Sequence, residues 1–280
     1  MEVTDLTMRF GGINAVYRLS FTVEEGSITA LIGPNGAGKT SAFNCLTGFY
    51  KATEGEILFE GQSLLKIRPY KITYKGIVRT FQNVRLFKNM TVMENVMSGA
   101  HRLGHQFVGG ALLRHPAQRK EEAEIRRIAE ECMEFVGILD LKDKLAKNLP
   151  YGYQRRVEWA RALASKPKML LLDEPAAGLN QEEKDNLVGL IRRFRDELGI
   201  TIFLIEHDMG LVMQVSEKVV VINFGRKIAE GTPEQVQSNP LVIEAYLGRD
   251  DEDNDDDDDD NGSNITGTES KGVGEEVSNS

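Results

Sequence analysis

The residues best placed to do chemistry are Gly33, Pro34, Asn35, Gly36, Ala37, Gly38, Lys39 and Thr40, with Ser41 next in line. They satisfy G-x-x-x-x-G-K-[ST], a loop whose glycines let main-chain N–H groups converge on the phosphates of a nucleotide. A helix opening directly after the loop adds its positive end to the same anion. In such a cradle Lys39 bridges the β- and γ-phosphates and the Thr40 hydroxyl ligates Mg²⁺. Phosphoryl transfer to water also needs a second metal anchor and a group that positions the water. Asp173, ending the apolar run Met169 to Leu172, is the expected anchor, and Glu174 beside it is placed to polarise the attacking water. Phe10, upstream of the loop, has two readings: a ring stacked on an adenine, or a strand-end residue packed in the core.

These groups can meet only if particular elements carry them. The apolar run Ile28 to Ile32 reads as a buried strand and Thr40 to Gly48 as a helix, the setting the phosphate loop requires. Ahead of them, Val3 to Phe10 and Ala15 to Val23 read as strands parted by Gly11-Gly12, an N-terminal antiparallel β subdomain. Glu56 to Glu60 is a short strand with Gly61-Gln62 as its turn, and the β-branched run Gly76 to Phe81 ends at Gln82. From about residue 84 to 165 the spacing turns helical. Between Glu121 and Val136 the residues Ala123, Ile125, Ile128, Ala129, Cys132, Phe135 and Val136 mark one helix face. Leu103 to Pro116, with three glycines, reads as a loop or broken helix; His101 and His105, four apart, lack Cys or acid partners and read as solvated. Strands then alternate with helices again. Met169 to Leu172 and Ile200 to Ile205 are strands, Leu187 to Leu198 is a helix face, Val219 to Asn223 and Lys227 to Glu230 form a hairpin, and Pro233 to Leu247 is a helix. This order predicts an α/β fold with a mostly parallel sheet covered on both faces and a helical unit inserted at 84–165.

Charge is unevenly placed along the 280 residues. Residues 250–280 hold thirteen acids and one Lys, so of the 43 acids and 34 bases in the chain the body keeps 30 and 33. A nearly neutral body gives no basic bias toward nucleic acid. The tail, with ten acids from Asp250 to Asp260, is expected to be disordered and extended. Asp257, Asp259, Asn261 and Gly262 mimic the start of a calcium loop, but Thr268 stands where a bidentate Glu is needed. Cys45 and Cys132 read as small apolar residues within helices, in keeping with a reducing cytosol. No secretory signal is visible at Met1 to Asp5, and no stretch approaches the roughly 20 apolar residues that span a bilayer. Work at a membrane would go through a partner.

Four segments in order resemble an ABC-transporter ATPase: the phosphate loop, Arg79-Thr80-Phe81-Gln82, Leu149 to Arg156 (LPYGYQRR) and Leu170-Leu171-Leu172-Asp173-Glu174-Pro175; His207 follows as a fifth. The resemblance covers about residues 2 to 248. It implies a P-loop NTPase core using ATP and Mg²⁺, with Gln82 touching the metal and attacking water while coupling to a membrane subunit. It also implies that His207 contacts the γ-phosphate, that Gly152 belongs to the signature loop, and that Phe10 holds the adenine-stacking position. The signature departs from the family's usual L-S-G-G-Q: Pro150 replaces Ser, Tyr151 the first Gly and Tyr153 the Gln. Gly152 and a helix opening near Gln154 can still offer N–H groups to phosphate. After Glu174, Ala176-Ala177-Gly178-Leu179-Asn180 has Asn where Asp is usual.

These departures, with Val84-Arg85-Leu86-Phe87 and the stretch Asn239 to Gly248, are similar to the ATP-binding subunits of branched-chain (hydrophobic) amino acid importers. That likeness implies a peripheral subunit on the cytoplasmic face of the membrane. Its partners would be permease subunits, a second ATPase subunit, identical or related, and indirectly an extracytoplasmic solute-binding protein, with no nucleic acid. In the family the signature loop of one subunit closes on ATP held by the phosphate loop of another. Lipopolysaccharide export, urea or amide import, and a soluble ABC ATPase acting on DNA or ribosomes are the competing readings. The single nucleotide module and the near-neutral body weigh against the soluble one.

Overall fold

The fold is that of a computed structural model in which residues 1–100 and 116–247 are described. The histidine pair 101/105, most of the segment 103–116 and the acidic tail lie outside the described residues.

Two sheets organise the chain. The first is antiparallel: β1 (Glu2–Phe10) sits between β2 (Ile13–Thr22) and β4 (Glu54–Phe59), and β5 (Gln62–Ser63) adds an edge. The second has six strands in the order β10 (Arg226–Gly231), β9 (Lys218–Asn223), β3 (Ile28–Ile32), β8 (Thr201–Ile205), β7 (Met169–Asp173), β6 (Ile77–Arg79). Among the described residues only the β9–β10 hairpin is antiparallel there. ITALI, MLLLD and TIFLI of β3, β7 and β8 are buried along their whole length, as expected of parallel strands covered on both faces. On one face Phe203 packs against Phe21 and Phe43, with ring centroids 5.2 and 5.1 Å apart, joining the small sheet and α1 (Lys39–Leu46) to the large one. The other face is covered by α6 (Gln181–Asp196) and by the helical unit of α3 (Val92–Ala100), α4 (Pro116–Phe135) and α5 (Tyr151–Ala164). The expected P-loop α/β core, antiparallel N-terminal sheet and helical unit are all present.

Several local expectations need correction. Gln62 belongs to strand β5, so the turn rests on Gly61. Ala123 is exposed and Met133 takes a core position in α4, because the buried stripe runs Ile125, Ile128, Ala129, Met133, Val136. Leu198 is exposed beyond the end of α6. The terminal helix is two, α8 (Pro233–Gln237) and α9 (Pro240–Leu247): Pro240 has no N–H to continue a ladder and disfavours helical backbone at Asn239. Two short helices, α2 (Pro69–Tyr74) and α7 (Met209–Val215), carried too little periodicity to be read. The signature helix α5 opens at Tyr151 rather than near Gln154. Pro150 caps it, and Gln154 Nε2 folds back to the Leu149 carbonyl at 2.8 Å. Both cysteines are free thiols within helices, and burial pushes each up to about 11. Among the described residues no helix is long and apolar enough to cross a membrane.

Candidate active site

Four segments leave the large sheet at one edge. β3 runs into Gly33, β6 into Thr80-Phe81-Gln82, β7 into Glu174, and β8 into Glu206-His207. Ile205 pairs with Leu31 on one side and Asp173 on the other, so these strand ends are level. Open α/β sheets bind ligands outside this edge.

The phosphate loop has room only for glycine at two points. Gly33 (φ 153°) and Gly38 (φ 102°) adopt backbone that side chains disfavour; a Cβ at Gly33 would overlap the Ile222 carbonyl, and one at Gly38 the Ala15 carbonyl. The loop is thus braced by β2 and β9. Lys39 is buried, its Nζ donating to the carbonyls of Gly33 at 2.6 Å and Pro34 at 2.9 Å, while Thr40 is exposed and Ser41 half-buried in the first turn of α1.

Arg79 ties this loop's helix to the acid pair. Its guanidinium donates to Asn44 Oδ1 at 2.7 Å and to Asp173 Oδ2 at 2.6 Å, with both ion-pair partners nearly buried. The rings of Phe43, Phe49 and Phe81 surround it, 5.2 to 6.0 Å from their centroids. Such a pair fixes the carboxylate and commits one of its oxygens. The second oxygen of Asp173, the Thr40 hydroxyl and the Gln82 amide oxygen are hard oxygen donors of the kind that could hold Mg²⁺.

Glu174 stands in left-handed backbone at φ 46°, a conformation few non-glycine residues hold. Its N–H still donates to the Ile205 carbonyl at 3.0 Å, so the β7–β8 pairing runs up to this residue. Gln82 Nε2 donates to Glu174 Oε2 at 2.7 Å, and His207 Nδ1 lies 3.8 Å from the same oxygen. Three residues far apart in sequence therefore meet at one carboxylate. The backbone beneath them is held by Glu206, buried completely, whose carboxylate accepts the N–H groups of Ala176 at 2.8 Å and His207 at 3.2 Å. Next along, Asp208 pairs with Lys184 at 2.6 Å, which holds the Asp208 carboxyl below the usual aspartate range.

Arg155 of α5 is the largest fully buried side chain among the described residues. It donates to the carbonyls of Phe81 and Gln82, each at 2.6 Å, and to the Tyr151 hydroxyl at 2.8 Å; Glu158 lies 3.2 Å away. Burial drives the Glu158 carboxyl up, with Arg155 pulling the other way. Gly152, in the first turn of α5, belongs to a different neighbourhood: a Cβ there would overlap Glu183, which forms a reciprocal cap with Asn180 at 2.9 and 3.0 Å. Phe10 is 45% exposed and meets Tyr50 edge-on, centroids 5.2 Å apart, so the core reading of this residue is overturned. Sequence reasoning gave Arg79, Arg155 and Glu206 no individual role. Arg79 and Glu206 are charged residues at the end of an apolar run, the one signal that could have flagged them, whereas Arg155, between Gln154 and Arg156, carries no such signal.

A profile of the ABC transporter family matches residues 16–177. The chain belongs to the ATP-binding-cassette transporter family. A second profile, described as a branched-chain amino acid ATP-binding cassette transporter, matches residues 226–252, which take in β10, α8 and α9. Among curated relatives of this cassette, the high-affinity branched-chain amino acid transport ATP-binding protein BraF of Pseudomonas aeruginosa is 51% identical over 89% of this chain and 97% of its own length. The corresponding protein LivG of Escherichia coli K12 is 47% identical over 89% and 97%. Among solved structures, the ADP conformation of MJ1267, an ATP-binding cassette of an ABC transporter, has a TM-score of 0.77 at 33% identity, covering 88% of this chain and 98% of that one. The ABC fold and the two-sheet architecture thus agree over nearly all the described residues.

Proposed function

We propose that this cassette is the ATP-hydrolysing subunit of a membrane importer for branched-chain amino acids. The observation that carries the cargo assignment is identity of 51% to a branched-chain amino acid transport ATP-binding protein across 97% of that protein's length. The convergence of Gln82, Glu174 and His207 on one sheet edge beside the phosphate loop supports turnover rather than nucleotide binding alone.

In this reading Gly33 to Ser41 hold the phosphates through main-chain N–H groups, with Lys39 turning from its loop carbonyls toward them. Thr40, Gln82 and Asp173 would hold Mg²⁺, which would supply positive charge to offset that of the phosphates. Phe10 stacks on the adenine. Glu174 takes a proton from the attacking water, oriented for it by the Gln82 amide, and His207 steadies the γ-phosphate. Gly152 presents first-turn N–H groups of α5 to ATP on a second cassette, identical or closely related, so each site is shared between two chains. Closing on ATP and reopening after hydrolysis drives alternating access in permease subunits docked near Gln82, fed by an extracytoplasmic solute-binding protein. The cassette then sits at the cytoplasmic face of the membrane, residues 1–249 forming the ATPase domain, with the helical unit at about 84–165, followed by the acidic stretch 250–280. Deleting the gene tests this: loss of leucine uptake, restored by the wild-type chain, is expected, and uptake at the parental rate refutes the cargo.

A further inference from the structure

The buried acid Glu206 lies beside the adjoining His207, whose Nδ1 is 3.9 Å from Glu206 Oε2. The carboxylate itself is engaged by main chain. Oε1 accepts the Ala176 N–H at 2.8 Å, while Oε2 accepts those of His207 at 3.2 Å and Asp208 at 3.4 Å. The first of these belongs to the loop that leaves Glu174, the other two to the turn that carries His207. One carboxylate therefore spans the two segments whose side chains face each other across 3.8 Å. The sheet ladder stops short of this span: the Glu174 N–H to Ile205 carbonyl bond closes the β7–β8 pairing, and Glu206 takes over one residue later. Burial pushes the Glu206 carboxyl up, while the N–H groups of Ala176, Asp208 and His207 and the His207 ring draw it down.

We propose that Glu206 is a positioning residue for ATP hydrolysis, fixing the His207 turn to the Glu174 loop so that the imidazole and the catalytic carboxylate share one phosphate. The proposal rests on the roles given above to Glu174 and His207. Glu206→Gln keeps the size but places an amide N–H where N–H donors already point. Glu206→Asp keeps the charge but withdraws it from Ala176 by one methylene.

The test compares the full-length wild type, E206Q, E206D, H207A and E206Q/H207A by steady-state ATPase activity, with turnover normalised to sites titrated by a fluorescent ADP analogue. Charge-assisted hydrogen bonds are worth about 1.5–3 kcal/mol, so E206Q and E206D are expected to turn over about tenfold or more slowly per site. Their KM for ATP should stay within about twofold, because the phosphate loop is untouched. E206Q/H207A should be no slower than H207A, since Glu206 acts through His207. A merely structural role would lower the number of titratable sites, leave turnover per site unchanged and add to H207A. Turnover of either Glu206 variant within about twofold of wild type, or additivity in the double variant, overturns the proposal. H207A at wild-type turnover overturns instead the assignment of His207; a slow H207A beside a normal E206Q overturns the role of Glu206 alone.

Discussion

Arg155→Met separates two consequences of a single buried cation. Arg155 neutralises Glu158, itself 2% exposed, and pins the Gln82 segment through the Phe81 and Gln82 carbonyls. Removing one member of a buried ion pair costs about 3–5 kcal/mol, because the other charge is left uncompensated. Arg161, 3.9 Å from Glu158 Oε1, supplies partial relief, so the low end, about 3 kcal/mol, is expected. For a domain of this size that lowers Tm by about 6–12 °C. The loss depends on pH in a definite direction. Burial already raises the Glu158 carboxyl, so ionising it costs stability as pH rises above the ordinary glutamate value, and without Arg155 that cost grows. The Tm gap between R155M and wild type should therefore narrow on going from about pH 8 to about pH 5.5. R155M/E158L replaces the pair by apolar groups of similar volume, which is commonly neutral or stabilising, and should restore Tm to within a few degrees. It does not restore the hold on Gln82, so ATPase activity should stay low in the double variant. Calorimetry and steady-state ATPase assays read both arms. R155M melting with wild type would refute the buried-pair reasoning; wild-type turnover in R155M/E158L would refute the coupling of α5 to Gln82.

Three further outcomes are expected at the site. Glu174→Gln should retain ATP while turnover falls by about 10²–10⁴-fold, and should favour the closed dimer on size exclusion; normal turnover removes Glu174 as the base. Phe10→Ala should weaken ATP binding by roughly 5–150-fold, the value of about 1–3 kcal/mol for a stacked base, with little change in Tm because the ring is exposed; equal affinity by titration refutes the stacking role. Gly33→Ala, which drives a Cβ into the Ile222 carbonyl at φ 153°, should abolish ADP binding in calorimetry; retained binding shows that β9 yields.

Local rules account for the features legible in the sequence. A phosphate loop between a wholly apolar strand and a helix is a contiguous pattern, and β3, β7 and β8 carry uninterrupted apolar runs because both faces of a parallel sheet are buried. The acids Asp173 and Glu174 announced themselves by ending such a run. The residues that join these segments obey no period. Arg79 reaches across 94 positions to Asp173, Arg155 across 73 to Gln82, and Glu206 across 30 to Ala176. Each is a long or charged side chain bridging to a group fixed by another element, so its partner exists only after the sheet is assembled. The same holds for the signature: Tyr-Gly-Tyr has weak helical preference, yet α5 already opens at Tyr151, whose hydroxyl accepts from Arg155 one turn on. Local pattern thus locates the phosphate loop, and buried charged side chains tie together the segments that carry Gln82, Glu174 and His207. A variant series confined to the phosphate loop would miss that second layer, whereas Arg79, Arg155 and Glu206 address it directly.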